Sequence, residues 1–333
     1  MLALRYYGQR DIRLEEVNLP PLKENEVLIK VTDAGISQTQ INEFMEGPFI
    51  INKTPLIPSQ EFGGIVKKVA NKNDEYLLNK MVAVLPLVSC KKCIYCKEKR
   101  EELCNNFLYH GLLGLDGGFA QYCIARKENI FLIDKKELLT FVEPILVGIH
   151  SANIYSKFYN LKKKKVLILG AGAIGISVAT IWRDYFKADI TLNDIIPQRE
   201  NIAKECGFEV LKKDRLKKEY DVVIDAAGTD PLSSKPAFIE GFEYLKKGGT
   251  LLNIGTYFHP LELIPSNILL QQQILTSIAY NSADVQILQE VIDSIKIDFS
   301  KLIQKIKLEN IIEDGYFALE VNKEDFIRIV VEP

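Results

Sequence analysis

Four cysteines fall close together: Cys90, Cys93, Cys96 and Cys104, with spacing C-x2-C-x2-C-x7-C. Each thiolate can give Zn²⁺ one tetrahedral corner, and four close the shell with no position left for water or substrate. Such a site holds a loop in shape and does no chemistry of its own. A second cluster reads Gly170-Ala171-Gly172-Ala173-Ile174-Gly175. Its first glycine permits a tight turn, its second lets the backbone approach a pyrophosphate, and its third lets a helix pack on a sheet. Free backbone N–H groups and the helix dipole then receive the phosphate charge. Asp194 ends the next apolar run at the distance expected of a ribose-binding acid. A carboxylate there accepts hydrogen bonds from a ribose 2′-OH and repels a 2′-phosphate, which favours NAD over NADP. Arg199 and Gly255 complete the candidate cofactor set; Arg199 reads more readily as a helix-surface residue than as a phosphate contact.

These residues need elements to hold them. The first 140 residues read as strands and turns, with Val27 to Val31, Gly63 to Val66, Met81 to Val88 and the stretch opening at Gly117 as strand signals. From Pro144 onward helix and strand alternate. Lys165 to Gly170, Asp189 to Asp194, Asp221 to Asp225 and Thr250 to Gly255 read as strands. Ile145 to Tyr159, Ile174 to Phe186, Arg199 to Cys206 and Lys235 to Lys246 read as helices. That order predicts a parallel sheet with crossover helices. An amphipathic helix near Val285 to Ile295 and a strand at Phe326 to Val331 close the chain. Val166 to Trp182 carries no charge and would tempt a membrane reading. Its three glycines at fingerprint spacing explain it instead as strand, turn and packed helix.

The bulk numbers exclude other classes. Of 333 residues, 47% are hydrophobic and 26% charged, a globular composition. Net charge is −2, which argues against nucleic acid or an anionic membrane as the main partner. Cys123 and Cys206 read as ordinary buried thiols, and free thiolates favour a reducing, cytoplasmic setting.

The residues quoted so far resemble the medium-chain dehydrogenase/reductase family, in its zinc alcohol, sorbitol and threonine dehydrogenase branch. The resemblance runs along essentially the whole chain. It takes in Gly63-Gly64, the cysteine lobe, Asp116 to Tyr122, Glu143-Pro144 with His150, the fingerprint, Lys247 to Thr250 and the closing Phe326 to Pro333. It implies an α/β protein: a GroES-like β-barrel catalytic domain from residues 1–144 and 282–333, and a Rossmann doubly wound domain from 145–281. It also implies NAD, a structural zinc on the four cysteines, a small-molecule substrate and self-association as dimers or tetramers.

At the family's second metal position this sequence departs from the pattern. The family's Ile-Cys-Gly-Thr-Asp segment reads Ile36-Ser37-Gln38-Thr39-Gln40 here, and its Gly-His-Glu reads Ser59-Gln60-Glu61. Serine hydroxyl and primary amide are poor zinc ligands at neutral pH. The expectation is one structural zinc and no tightly bound catalytic zinc, against a reshaped site using Glu61, Glu143 and His110. Thr39 matches the family's hydroxyl in proton transfer. Glu61 or Glu143 is the candidate general base, and Ser37 and Gln60 either donate to substrate oxygen or fill vacated volume. His150 is expected to be structural or to serve on the cofactor side. The function implied is NAD-dependent oxidation of a hydroxyl, or reduction of a carbonyl, on a small polyol, sugar or cyclitol. The alternatives are a zinc-free reductase of activated double bonds and an inactive NAD(H)-binding sensor.

Overall fold

The computed structural model describes residues 1–228, 235–263, 265, 270–321 and 326–333. Along the chain run β1 (Leu2–Gly8), β2 (Asp11–Glu16), β3 (Glu26–Gly35), α1 (Gln38–Met45), β4 (Phe62–Val69), β5 (Met81–Val84), β6 (Leu87–Val88), α2 (Ile94–Lys97), β7 (Leu108–His110), β8 (Gly114–Leu115), β9 (Tyr122–Arg126), β10 (Ile130–Leu132) and α3 (Val142–Ser156). There follow β11 (Lys165–Leu169), α4 (Ala173–Asp184), β12 (Asp189–Asn193), α5 (Pro197–Glu205), β13 (Glu209–Val210), β14 (Tyr220–Asp225), α6 (Ala237–Glu240), β15 (Leu245–Asn253), β16 (Gln273–Thr276), α7 (Ser282–Gln286), α8 (Leu288–Ser294), β17 (Ile303–Lys307), α9 (Ala318–Val321) and β18 (Arg328–Glu332). They form two units, Met1–Glu143 with Phe299–Pro333, and Pro144–Asp298.

In the first unit a sheet runs in the order β10-β5-β4-β3-β18-β17, with β9 also paired to β3. Val27, Ile29 and Val31 of β3, Phe62 and Val66 of β4 and Val82 and Val84 of β5 face one buried core, joined by Phe119, Ile329 and Val331. The closing strand matters for position. β18 pairs antiparallel with β3, setting Val330 opposite Gly35. That register lays Arg328 across Gly35, where an added Cβ would stand 2.8 Å from the arginine Cζ. A separate three-stranded sheet, β6-β7-β8, leads into and out of the cysteine lobe.

In the second unit six strands lie parallel in the order β13-β12-β11-β14-β15-β16. Because the order reverses between β11 and β14, the carboxyl ends of those strands flank a crevice, the place where such sheets take ligands. The uncharged stretch Val166 to Trp182 is β11, its turn and most of α4. Trp182 is fully buried, and its indole N–H donates to Ser151 Oγ of α3 at 3.1 Å. Among the described residues no helix is long and apolar enough to cross a membrane.

Two expectations shift. The helix expected at Lys235 to Lys246 shortens to α6 with a 3₁₀ turn at Gly241–Glu243, and Leu245 already begins β15, buried and paired with Tyr220. Residues 282–298, expected with the first domain, fold in the second unit. The anchor is Asp284, fully buried, which takes His150 Nδ1 at 2.7 Å and Asn153 Nδ2 at 2.7 Å. The first bond ties His150 of α3 to the segment 282–298.

Candidate active site

The cysteine lobe is built for a dication. Cys93 caps α2, and Lys91 and Lys99 take left-handed φ values of 59° and 58° to turn the chain around the cluster. All four Sγ atoms lie within 4.8 Å of one another, with Cys90 and Cys96 3.9 Å apart and Cys93 and Cys96 3.5 Å apart. A tetrahedron with Zn–S bonds of about 2.3 Å has edges of about 3.8 Å, so the residues fit the metal. Cys104 Sγ accepts the backbone N–H of Cys90 at 3.3 Å and of Asn106 at 3.4 Å. Backbone N–H groups of Cys96 and Asn105 pull Cys93 down to about 6, while burial and proton sharing with Cys93 push Cys96 up to about 11. Thiolates this close repel, and a bound zinc relieves them.

The fingerprint turn is equally specific. Gly170 takes φ +104°, and a Cβ there would meet Ala227 N at 2.9 Å. A Cβ on Gly175 would meet the Gly170 carbonyl oxygen at 1.9 Å, so α4 can start this close to β11 only with glycine. Gly172 caps α4 without a side-chain hydrogen bond, which leaves the N–H groups of Ala173 and Ile174 in the first turn for a phosphate. Asp194 accepts the N–H of Ala171 at 2.6 Å and of Ile196 at 2.8 Å, so the acid expected at the ribose also braces the glycine turn. Arg199 Nη1 stands 3.8 Å from the position a Gly172 Cβ would take, beside the turn rather than out on the helix surface. Gly255 packs on the turn after β14, where its Cβ would lie 2.5 Å from Gly228 N.

The third cluster lies wholly in the first unit and is polar. Ser59 takes φ +80° and donates its hydroxyl to Gly35 O at 3.0 Å, which turns Gln60 and Glu61 inward. Ser37 caps α1. Its N–H and its hydroxyl both donate to Gln40 Oε1, at 2.7 and 2.6 Å. Gln40 Nε2 donates to Gln60 Oε1. Gln60 Nε2 donates to Ser37 Oγ and to Glu61 Oε1, each at 3.1 Å. Both amide protons of Gln60 and the one hydroxyl proton of Ser37 are thus used within the cluster. Glu61 ends the chain against the Arg328 guanidinium, and both side chains are 2% exposed. Arg328 also donates to Ile36 O at 3.3 Å and to Thr140 O, and lies 5.2 Å from the Phe141 ring centre. Burial lowers its pKa to about 9, which still leaves a cation at neutral pH.

Glu143 stands apart, in the first turn of α3. Its Oε1 accepts the Tyr109 hydroxyl at 2.8 Å. Burial raises its pKa to about 7, with the Tyr109 hydrogen bond pulling the other way. Thr39 in α1 is half-buried and makes no side-chain hydrogen bond to another described residue. His110 is elsewhere. Its Nδ1 is bonded to Asp116 O at 2.7 Å, burial lowers its pKa, and it borders a cleft of about 590 Å³ whose lining includes neither Glu61 nor Glu143. Among the described residues the four cysteines are the one group of metal-capable acidic, imidazole or thiol side chains whose ligand atoms converge.

Residues 23–135 match the Alcohol dehydrogenase GroES-like domain, and residues 150–256 match the D-isomer specific 2-hydroxyacid dehydrogenase, NAD binding domain. An alcohol dehydrogenase of Geobacillus stearothermophilus is 30% identical over 254 residues, 74% of each chain. A sorbitol dehydrogenase of Bacillus subtilis is 28% identical over 77% of this chain and 75% of its own. The chain belongs to the medium-chain zinc dehydrogenase family. The crystal structure of 2R,3R-butanediol dehydrogenase from Bacillus subtilis shares the fold with a TM-score of 0.84 at 23% identity, covering 100% of this chain and 99% of that one.

This dehydrogenase is therefore an NAD-dependent polyol/alcohol dehydrogenase-like oxidoreductase, with a GroES-like domain, a parallel NAD-binding sheet and a four-cysteine cluster suited to structural zinc. Three residues at its polar positions carried no role in the sequence reading. Gln40 was visible only as the replacement for the family's aspartate. Arg328 lay in the closing segment, 267 positions after Glu61 in sequence, and only the β3–β18 register joins them. Tyr109 followed the cysteine lobe with no motif to mark it.

Proposed function

We propose that this dehydrogenase oxidises a secondary hydroxyl of a small polyol or sugar-like substrate with NAD, and does so without a second zinc. The observation that supports this reading is the chain Ser37–Gln40–Gln60–Glu61–Arg328, in which Ser37, Gln40 and Gln60 hydrogen-bond one another and Glu61 is ion-paired to Arg328, with Arg328 Nε and Glu61 Oε2 making no hydrogen bond among the described residues. A metal entering there would have to displace a guanidinium from Glu61 and find ligands among a hydroxyl and two amides, all weak for zinc.

On this reading Ser37 and Gln60 fill the volume rather than meet substrate, and Glu61 is held as the counter-ion of Arg328. Glu143 is the general base. Its pKa near 7 suits proton transfer at neutral pH, and Tyr109 fixes which carboxylate oxygen is left to accept the proton. Thr39 hands the substrate's hydroxyl proton toward it. NAD would supply the hydride acceptor, so that alcohol and NAD⁺ would give carbonyl and NADH, with the hydroxyl proton left on Glu143.

The deciding experiment is elemental analysis of protein purified without added metal. One zinc per chain is expected; two would return the mechanism to polarisation of the substrate oxygen by a metal. We further propose a homodimer formed through the free edge of β16. That edge carries Ile274, and Leu270 and Ile278 beside it are also exposed, at 38%, 40% and 59% respectively. Ile274→Asp should shift the protein toward monomer in sedimentation.

A further inference from the structure

At the carboxyl end of β14, Asp225 is completely buried, and its carboxylate hydrogen-bonds to no cation among the described residues. It gathers donors instead. Its Oδ1 accepts the N–H of Ala227 at 3.0 Å and of Gly228 at 3.1 Å, and its Oδ2 accepts the Tyr257 hydroxyl at 2.7 Å. Tyr257 is in turn held by the N–H of Phe238, which donates to its hydroxyl oxygen at 3.1 Å, and by edge contact with the Phe238 ring at 6.3 Å. The Asp225 carbonyl accepts the N–H groups of Ile254 and Gly255 at 3.0 and 2.9 Å. One residue therefore ties the turn after β14 to the turn after β15, and Tyr257 closes the tie from above.

Those turns have no slack. Gly228 takes φ +64°, and a Cβ on it would meet Thr256 N and O at 2.9 Å. The other side of the 226–228 turn rests on Gly170, whose absent Cβ would lie 2.9 Å from Ala227 N. Three consecutive strand ends, β11, β14 and β15, are thus packed backbone to backbone. A dinucleotide in a sheet of this strand order places its adenosine ribose at the acid after β12 and its pyrophosphate at the glycine turn after β11. The remaining half must run the other way from the switch point, across the ends of β14 and β15.

We propose that Tyr257, through Asp225, is a positioning residue for the nicotinamide half of the cofactor: the pair fixes the floor formed by residues 226–228 and 255–257 on which that half rests. Neither side chain needs to touch the reacting carbon. The phenol supplies a neutral donor where a cation would compete with NAD's own positive ring, and the glycines keep the floor flat. This inference rests on the NAD-binding reading of the second unit.

The test separates the two halves of the cofactor. AMP reports only on the adenosine end, near Asp194; NADH reports on both. In Tyr257→Phe the ring contacts remain and the hydroxyl is lost, so NADH affinity should fall about tenfold while AMP affinity stays within about twofold. Asp225→Asn keeps an acceptor for the N–H groups and can donate its amide to the Tyr257 oxygen, so NADH affinity should stay within about threefold of wild type. If the Phe variant does not fold, hydrogen exchange on the unmodified protein answers the same question: NADH should protect the amides of 226–228 and 255–257, and AMP should not. Equal losses for AMP and NADH would reduce Tyr257 to a general stabiliser, and no loss for either, or equal protection by both, would remove the role altogether. Failure of the unmodified protein to bind NADH at all would instead overturn the cofactor reading on which this rests.

Discussion

Two loop-built clusters in the first unit invite comparison, the cysteine lobe and the polar chain from Ser37 to Arg328. Each brings four or five side chains within hydrogen-bonding reach, and each is partly or wholly buried. They differ in what is left over. In the lobe, deprotonation would leave four like charges within 4.8 Å of one another, so a dication is the group that closes the balance. In the polar chain one carboxylate meets one guanidinium, so the charges balance within the chain itself, while Arg328 Nε and Glu61 Oε2 make no hydrogen bond among the described residues. A metal site is recognised less by polar density than by uncompensated negative charge held at a fixed spacing.

The comparison breaks most sharply at the lobe. Cys93→Ser should take zinc from one per chain to near zero and open residues 90–106 to proteolysis, since structural zinc supplies on the order of 10 kcal/mol of apparent binding energy in small sites. Unchanged zinc stoichiometry would remove the lobe from the argument. The complementary change at the other cluster is Ser37→Cys with Gln60→His. Adding a thiolate and an imidazole beside Glu61 should raise metal content toward two per chain if donor chemistry alone separates the clusters.

Next in size is the ion pair. Arg328→Met would leave Glu61 in a buried site without its counter-ion, a cost of about 3–5 kcal/mol. Adding Glu61→Gln should recover most of it, because the pair is a mutual neutraliser rather than a source of net stability. Urea unfolding of the single and double variants decides this, and a double variant no more stable than the single would mean that the charge pairing is not what holds the chain.

Glu143 tests the contrast between filler and working group. Glu143→Gln should lower kcat/KM by about 10²-fold. In the unmodified enzyme kcat/KM for alcohol oxidation should rise with pH through about 7, because only the ionised carboxylate accepts a proton, and the variant should lose that limb. Stability runs the opposite way. The folded-state pKa is raised from 4.5, so the contribution of protonated Glu143 is complete below about 4.5 and is lost as pH rises through about 7. The variant should therefore match wild type in melting temperature at pH 4.5 and exceed it at pH 8. A lower melting temperature at pH 8 would show that the buried carboxylate is not the strained group proposed.

The parts of the molecule that are written locally were legible in the sequence. The cysteine spacing, the glycine fingerprint and Asp194 each act over a few residues or one strand-to-strand step, and their geometry follows from their order. The polar cluster is different, since what Ser37 and Gln60 do depends on Arg328, brought beside Gly35 by a register that no local pattern encodes. Tyr109 and Tyr257 escaped notice for the same reason: each acts on a carboxylate more than thirty residues away, Glu143 and Asp225 respectively. The shortened helix at Ala237–Glu240 has a more local cause, because Leu245 serves the sheet core better as the start of a strand.

The smallest expected effect is the most discriminating one for the polar chain. Ser37→Ala removes a donor to Gln40 Oε1 and the acceptor of one Gln60 amide proton. The orphaned proton should cost about 1–2 kcal/mol of stability, and the remaining Gln60–Glu61 and Glu61–Arg328 contacts should keep the site's charge in place. Catalysis should change by less than about threefold, since Ser37 has no proton to spare for substrate, whereas Thr39→Ala, at a hydroxyl with no described partner, should cost about tenfold or more. Equal losses in the two variants, measured side by side with the same alcohol, would place Ser37 among the working groups and dissolve the distinction between a polar cluster that only packs and one that takes part in catalysis.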